Sequence, residues 1–198
     1  MSSANLETRE RILKAAWDLL EADAGKGVAM AEIAKAAGVS RQAVYLHFPT
    51  RAGLLVAVTL YIDSVNKVDE RLAASRAANG GLERLRAFIA AWGDYIPEIY
   101  GVGKALMAMQ GSDEAAAQAW NGRMQAVREG CEAAVKALKR DGLLRPEHSV
   151  RQATDILWTL LSVPNWEQLT GSCGWTQRRY IDLMQEMAER VLTPEGEA

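Results

Sequence analysis

Apolar residues recur every three to four positions along most of the chain, the spacing at which a helix buries one face. In the first such segment, over residues 7–22, the apolar positions are Ile12, Ala16, Leu19 and Leu20. Alternating apolar and polar residues, which indicate a half-buried strand, are not found in the sequence. The pattern therefore predicts an all-α protein.

Glycine, proline and capping residues divide this pattern into about nine helices. The predicted ranges are 7–22, 30–37, 40–48, 51–77, 82–96, 99–110, 112–140, 149–169 and 176–192. We expect Gly80-Gly81 to break the chain after the long fourth helix, and Pro97 to stop the fifth. Pro164 should kink the eighth, because proline lacks the N–H that a helix interior needs.

The ends of the helices carry further signals. A glycine cap within residues 24–27 should end the first helix, and Asp113 and Glu114 should complement the dipole in the first turn of the seventh. Residues 1–6 and 194–198 have no such signals, so we expect both termini to be frayed.

Two short predicted helices, joined by a glycine turn, occupy residues 33–48. Small Ala34 and Ala37 allow the helices to cross closely, Gly38 supplies the turn, and Ser40 can cap the second helix. Four apolar side chains fill the core between them: Ile33, Val39, Val44 and Phe48. The second helix would present hydrogen-bond donors and one methyl group outward: Arg41, Gln42, Ala43, Tyr45 and His47. This layout predicts a helix-turn-helix whose second helix enters the major groove of DNA.

Three stretches resemble the tetracycline-repressor-like (TetR) family of transcriptional regulators. They are residues 8–16, the helix-turn-helix itself and residues 45–55, so the resemblance covers about residues 7–56. The last two helices resemble those of many family members more loosely. The resemblance implies a homodimer that binds double-stranded DNA at a near-palindromic operator, acts as a repressor and is released by a small-molecule effector.

The resemblance also implies roles for single residues. Arg41 and Gln42 would read bases, since arginine suits guanine and glutamine suits adenine, and Ala43 would touch a thymine methyl. The remaining positions would hold phosphates: Tyr45, His47, Thr50 and Arg51. An exposed histidine with no DNA contact remains open for His47. The chain departs from the family at Ala29, where a capping Ser or Thr is usual, which puts phosphate contacts from the second helix in doubt.

Two domains follow from this interpretation. Residues 1–52 would form the helix-turn-helix domain, and residues 53–198 a helical domain for ligand binding and dimerisation, reached through the long fourth helix. The last two helices carry apolar stripes broad enough to form a four-helix interface with a second copy.

The C-terminal part is rich in aromatic residues and methionines, which can line a pocket for a small apolar or aromatic effector. By analogy with family members, the candidates are Trp92, Tyr95, Met107, Trp120, Met124 and Trp158. Each of them could equally belong to a filled core or to the dimer interface.

Composition narrows the class of protein. A net charge of −2 argues against bulk electrostatic coating of nucleic acid, so any DNA binding must be local. The longest apolar stretch, residues 54–62, is too short to span a bilayer, and the two cysteines, Cys131 and Cys173, form no C-x-x-C motif. We therefore expect a cytoplasmic protein with no cofactor, no metal and no membrane contact.

An enzyme is the main competing class. His47 and His148 are the only histidines, and one of them lies in the DNA-reading helix. The pair Glu129 and Glu132 could form a carboxylate site, although a solvated helix face is the simpler interpretation. We expect no enzymatic activity. A second alternative keeps the fold but has a filled C-terminal core, with control by a protein partner or by no ligand.

Overall fold

The computed structural model describes residues 3–22 and 27–194, and within them it contains helices and no β-strand. The all-α fold is therefore confirmed. The helices are α1 (Ser3–Ala22), α2 (Met30–Ala36), α3 (Arg41–His47), α4 (Arg51–Val65), α5 (Val68–Arg71), α6 (Ala73–Ala77), α7 (Gly81–Met109), α8 (Glu114–Arg140), α9 (Val150–Leu160), α10 (Val163–Glu167), a π-helical turn (Gln168–Ser172) and α11 (Gln177–Leu192).

The predicted ends of the chain need one correction. Helix α1 begins at Ser3, so the expectation of a frayed segment is wrong for residues 3–6, where the Thr8 hydroxyl donates to the Ala4 carbonyl at 2.9 Å. The glycine cap predicted within residues 24–27 lies mostly outside the described residues, although Gly27 is described and has a φ of +90°.

The chain divides into two compact units. One consists of Met1–Asn66 with Ile99–Met124, and the other of Lys67–Glu98 with Gln125–Ala198. Helices α7 and α8 each supply a segment to both units. The functional boundary between residues 52 and 53 stays a prediction.

The first unit is built around the apolar faces of α1 and α4. Ile12 and Leu13 of α1 and Leu54 of α4 have no exposed surface, and Leu55 and Ile62 are almost completely buried. Each such side chain contributes about 1.5–3 kcal/mol by leaving water. This packing places the N-terminus of α4 beside the helix-turn-helix.

The long helix predicted over residues 51–77 is wrong, because three shorter helices occupy that range. Helix α4 ends at Val65, and Lys67 follows with a φ of +54°, in the left-handed region that a continuous helix excludes. Helices α5 and α6 come next, before the predicted break near Gly80.

Pro97 does not stop a helix, as the sequence predicts, but lies inside α7. Proline has no N–H, so it leaves the carbonyl of Gly93, four residues earlier, without its usual helical donor. The side chain of Gln177 supplies the donor, since its Nε2 lies 2.6 Å from the Gly93 oxygen. A tertiary hydrogen bond therefore replaces the missing helical one.

Pro164 does not kink a continuous helix either. Helix α9 ends at Leu160, and Pro164 lies in the first turn of α10. An N–H in the first turn has no acceptor within the helix, so proline costs no helical hydrogen bond there. The amide of Asn165 donates to the Thr159 carbonyl at 2.7 Å, which satisfies one of the last carbonyls of α9.

The second unit has a closely packed interior. A Cβ on Gly81 would lie 2.6 Å from the backbone of Ala137, so α7 and α8 meet there at a distance that only glycine permits.

Cys131 is fully buried, and burial raises the pKa of its thiol to about 12. The second cysteine, Cys173, is exposed and free.

No single helix among the described residues has the length and apolar character of a membrane span. Helices α3 and α4 meet the length and composition criteria only when taken together, and they are bent by 71° at their junction.

Candidate nucleic-acid interface and pocket

The turn between α2 and α3 has the conformation that the sequence predicts. Gly38 adopts a φ of +65°, and the N–H of Val39 donates to the Ala34 carbonyl at 3.0 Å. The Ser40 hydroxyl accepts from the N–H of Ala43 at 3.1 Å and so caps α3. Of the predicted core residues, three are buried and Val39 is half-buried; the buried ones are Ile33, Val44 and Phe48.

The outer face of α3 carries the predicted base-reading side chains. Arg41 and Gln42 are exposed, and the Arg41 guanidinium lies over the ring of Tyr45, 5.6 Å from its centre. This cation–π contact limits the conformations that the Arg41 side chain samples in the free protein. Ala43 and His47 are half-buried at the edge of the same face.

Leu46 was not among the residues predicted to point outward, yet its side chain is 79% exposed. Single exposed apolar side chains are common on protein surfaces, but apolar groups on a recognition helix can also contact thymine methyls. The signal was available in the sequence, because Leu46 lies between Tyr45 and His47 on a helix whose buried position is Val44.

Arg51 has partners within its own unit. Its Nε donates to the Val28 carbonyl at 3.1 Å, and its Nη1 lies 2.5 Å from Oδ2 of Asp113. The Arg51 side chain is 25% exposed. The predicted phosphate-binding guanidinium is therefore held in an ion pair.

Asp113 does not lie in the first turn of a helix, as predicted, but directly before α8. Its Oδ1 accepts from the N–H groups of Ala115 and Ala116 at 3.0 and 3.2 Å, so it caps the helix. Partial burial by itself raises the pKa of Asp113, but the hydrogen bonds from Arg51 and these two amides outweigh it. They hold the pKa below its usual 3.8.

The N-terminus of α4 keeps its predicted cap, because the Thr50 hydroxyl accepts from the N–H of Gly53 at 3.0 Å. The N-terminus of α2 has no capping side chain at Ala29, in line with the sequence. Instead, Glu32 accepts from the Ala29 N–H at 2.8 Å and adds a negative charge there. Anion binding is therefore favoured at α4 and disfavoured at α2.

The first unit also contains a pocket between α4, α7 and α8. Its cavity volume is about 30 Å³, the room that about one or two water molecules occupy, so a larger ligand can enter only if the pocket widens. Most of its wall is apolar and is formed by Ile62, Ile99, Val102, Leu106, Trp120 and Met124. At one end, Nη2 of Arg123 lies 2.7 Å from Oδ2 of Asp63.

Residues 12–58 match the model of a known family, the bacterial regulatory proteins of the tetR family. The match includes the whole helix-turn-helix and about half of α1 and of α4. Residues 12–58 therefore form a TetR-family DNA-binding domain of the helix-turn-helix type. The chain is a DNA-binding transcriptional regulator. No curated protein sequence matches the chain.

Solved structures extend the likeness to the whole fold. A protein from Rhodococcus sp., assigned to the TetR-family transcriptional regulators, has a TM-score of 0.73 at 19% identity, over 94% of this chain and 99% of the other. A regulator from Saccharomonospora viridis, in complex with choline, has a TM-score of 0.73 at 18% identity, over 96% and 99%. NalD from Pseudomonas aeruginosa, the secondary repressor of the MexAB-OprM multidrug efflux pump, has a TM-score of 0.70 at 22% identity, over 98% and 100%.

The residues that the sequence predicts for a ligand site lie in different parts of the chain. Trp120 and Met124 line the pocket. Trp92 and Tyr95 are buried in the second unit, where Nε1 of Trp92 donates to the Leu161 carbonyl at 2.8 Å. Met107 and Trp158 are half-buried and outside the wall of this pocket.

Sequence reasoning missed the residues that α4 and the polar end supply to the pocket, which are Thr59, Ile62, Asp63 and Arg123. One signal was available, because Asp63 is a charged residue directly after the apolar stretch 54–62.

The residues considered for an enzyme have structural partners. Nε2 of His148 lies 3.2 Å from the Val191 carbonyl, near the C-terminus of α11. Glu132 pairs with Lys136 at 2.8 Å, and the hydrogen bond from that lysine lowers the pKa of the Glu132 carboxyl. Glu129 accepts from Gln125 at 3.2 Å. The two carboxylates thus belong to ordinary contacts along one helix.

Proposed function

We propose that this TetR-family regulator represses transcription by binding a near-palindromic operator as a homodimer, and that a small-molecule effector releases it. The observation that carries the proposal is the capped, tightly packed helix-turn-helix, whose outer face presents Arg41 and Gln42 to solvent. Arginine and glutamine are the side chains that pair bidentately with guanine and adenine in the major groove. The name of NalD, a secondary repressor, supports repression as the direction of control.

In this proposal, the residues around Arg41 and Gln42 add further contacts to bases and to the DNA backbone. Ala43 contacts a thymine methyl, and Leu46 adds a second apolar contact. Four side chains hold phosphates and fix the register: Tyr45, His47, Thr50 and Arg51. Arg51 must exchange Asp113 for a phosphate to do so. The protein acts where the chromosome is, which for a bacterial regulator is the cytoplasm.

Dimerisation through the last two helices brings two copies of α3 to successive major grooves. In the single chain, α9 and α11 leave large apolar side chains half-buried, and they include Trp158, Leu183 and Met187. A second copy would remove these surfaces from water. Two recognition helices one DNA turn apart then make a specific site from two weak half-sites.

The effector binds in the pocket lined by Trp120 and Met124. Helix α4 connects this pocket to the DNA-binding surface, since Asp63 lies in the pocket wall and Arg51 begins the same helix, about 18 Å away. A ligand that shifts α4 therefore moves both the pocket wall and Arg51. By linkage, a ligand that favours a displaced α4 lowers the affinity for the operator. The choline complex of the S. viridis regulator supports a small molecule as the signal.

The test is selection of bound fragments from the source genome with the full-length protein, followed by gel shift over a salt series on the enriched site. We expect a palindromic site, a complex of two chains per site and a steep salt dependence. Failure to enrich any sequence would overturn the regulator proposal. An enriched site without two-fold symmetry would overturn the homodimer.

A further inference from the structure

The polar end of the pocket is a pair of opposite charges in an otherwise apolar wall. Asp63 and Arg123 are only 17% and 21% exposed, and their charged atoms are 2.7 Å apart. Thr59, the other polar group there, donates its hydroxyl to the Val56 carbonyl at 2.8 Å. No further charged side chain is found among the described residues that line the pocket. The fixed charges of the pocket therefore sum to zero.

This balance decides which ligand charge the pocket accepts. A carboxylate that approaches Arg123 would also lie beside the negative charge of Asp63. An ammonium group that approaches Asp63 would also lie beside the positive charge of Arg123. Either ligand would leave one net charge in a mostly apolar, partly buried site, where an uncompensated charge is unfavourable. A neutral ligand leaves the pair intact.

The guanidinium also defines the polar group that the ligand must carry. Arginine has five N–H donors and no acceptor. In the described part of the chain, the contact recorded for Arg123 is the one with Asp63, which leaves donors for another group. A ligand oxygen that accepts a hydrogen bond satisfies them, whereas a ligand with only donors does not.

The rest of the pocket wall is apolar. Trp120 is 8% exposed, and a Cβ on Gly103 would lie 3.3 Å from its ring, so the glycine lets the indole lie close against α7. We propose that the effector is an uncharged small molecule with an apolar or aromatic body and one hydrogen-bond acceptor that faces Arg123. This inference rests on the proposed role of the pocket as the effector site.

The test compares three probes of similar size and different charge: benzamide, benzoate and benzylammonium. Binding to the full-length protein is measured by calorimetry at neutral pH and by quenching of tryptophan fluorescence. The Trp120→Phe variant shows whether that quenching arises in the pocket. We expect benzamide to bind at least tenfold more tightly than either ion. Equal or tighter binding of an ion, or no binding of benzamide, would overturn the proposal.

Two variants test the charge balance directly. Asp63→Asn leaves Arg123 without its counter-ion, so the preference should move to benzoate; Arg123→Met leaves Asp63, so it should move to benzylammonium. Circular dichroism melts check that each variant is folded. If a variant does not fold, the binding of the three probes to the wild-type protein decides whether the effector is uncharged. An unchanged preference in a folded variant would overturn the proposal.

A gel shift on the enriched operator distinguishes failure of the neutral-ligand proposal from failure of the proposed regulator function. Release of DNA by benzoate or benzylammonium, with no effect of benzamide, would contradict the proposal that the effector is uncharged. It would not contradict the proposed regulator function. Loss of the regulator function would instead appear as failure to enrich an operator, whichever probe binds.

Discussion

Arg51, the first residue of α4, forms an ion pair with Asp113, the residue that caps α8, with 2.5 Å between Nη1 and Oδ2. The same guanidinium is the one that the family resemblance assigns to a DNA phosphate. A single arginine cannot give its full set of donors to both partners. In the proposed complex, Asp113 would therefore compete with DNA for Arg51. The ion pair also joins the proposed DNA-binding surface to a helix that lines the pocket.

Replacing Asp113 with Asn should raise the affinity for the operator by about two- to tenfold, because it frees Arg51 for a phosphate. Asparagine is also a good N-cap, so α8 keeps its first turn. Gel shift over a salt series measures the effect, and the slope should steepen by up to about 0.9, the contribution of one phosphate contact. The matched control is Glu114→Gln, which removes the same charge from the exposed neighbouring residue. Equal effects of the two variants would contradict competition for Arg51.

The same ion pair makes stability depend on pH in a defined direction. The pKa of Asp113 is below its usual 3.8 in the folded chain, so the carboxylate stabilises the fold above the unfolded-state pKa. This contribution is lost as the pH falls through the folded-state pKa. We expect the difference in unfolding free energy between wild type and Asp113→Asn to be constant from pH 7 to about 5 and to shrink below about 4. Urea unfolding at each pH measures it, and a difference that is undiminished at pH 3 would contradict the ion pair.

The sequence predicts the helix-turn-helix well because its determinants are local. Ser40 and Thr50 cap helices through amides three residues ahead, and Gly38 adopts the left-handed turn that its own backbone permits. Each of these interactions spans only a few residues. Propensity and capping rules therefore suffice for them.

The features that the sequence does not predict depend on distant partners. Helix α7 continues through Pro97 because Gln177, eighty residues later, replaces the missing donor. Arg51 meets a carboxylate 62 residues away, and the polar end of the pocket joins Asp63 to Arg123. Such pairs follow from the packing of whole helices, which periodicity alone does not define.

Removing the side chain of Arg41 should abolish discrimination at one base pair of each half-site. A bidentate contact to guanine is worth about 1–3 kcal/mol, so the preference should fall about five- to 150-fold at that position. Arg41→Lys keeps the charge but loses the planar pair of donors, and it should lose most of the same discrimination. Competition gel shifts with single-base operator variants measure both. An unchanged base preference in Arg41→Ala would remove Arg41 from the readers.

Leu46 provides a test of apolar readout on the same helix. Its exposed side chain should contact a thymine methyl, so Leu46→Ala should weaken binding about five- to 20-fold. The effect should disappear when uracil, which lacks the methyl group, replaces the thymine in the operator. Stability should not fall, because the side chain is exposed to water in the free protein. A loss that is equal on both operators would argue against a methyl contact.

Gln177 and Pro97 should show coupled effects on stability. Gln177→Leu leaves the carbonyl of Gly93 without a donor, and it also removes the acceptor of Trp166, whose Nε1 lies 2.8 Å from Oε1 of Gln177. A buried polar group left unsatisfied costs about 1–3 kcal/mol, so the free energy of unfolding should fall by at least that amount. Urea unfolding monitored by circular dichroism measures the loss.

In a Pro97→Ala background, the N–H of residue 97 can donate to the Gly93 carbonyl along the helix. Gln177→Leu should then cost about 1 kcal/mol less than it does in wild type, because only the Trp166 contact is lost. Gln185→Leu is the matched control, since Gln185 donates to the Arg86 carbonyl at 3.0 Å, an exposed contact with no proline involved. If the cost of Gln177→Leu is the same with and without Pro97, then Gln177 does not replace the missing helical donor, and the continuity of α7 through Pro97 has another cause.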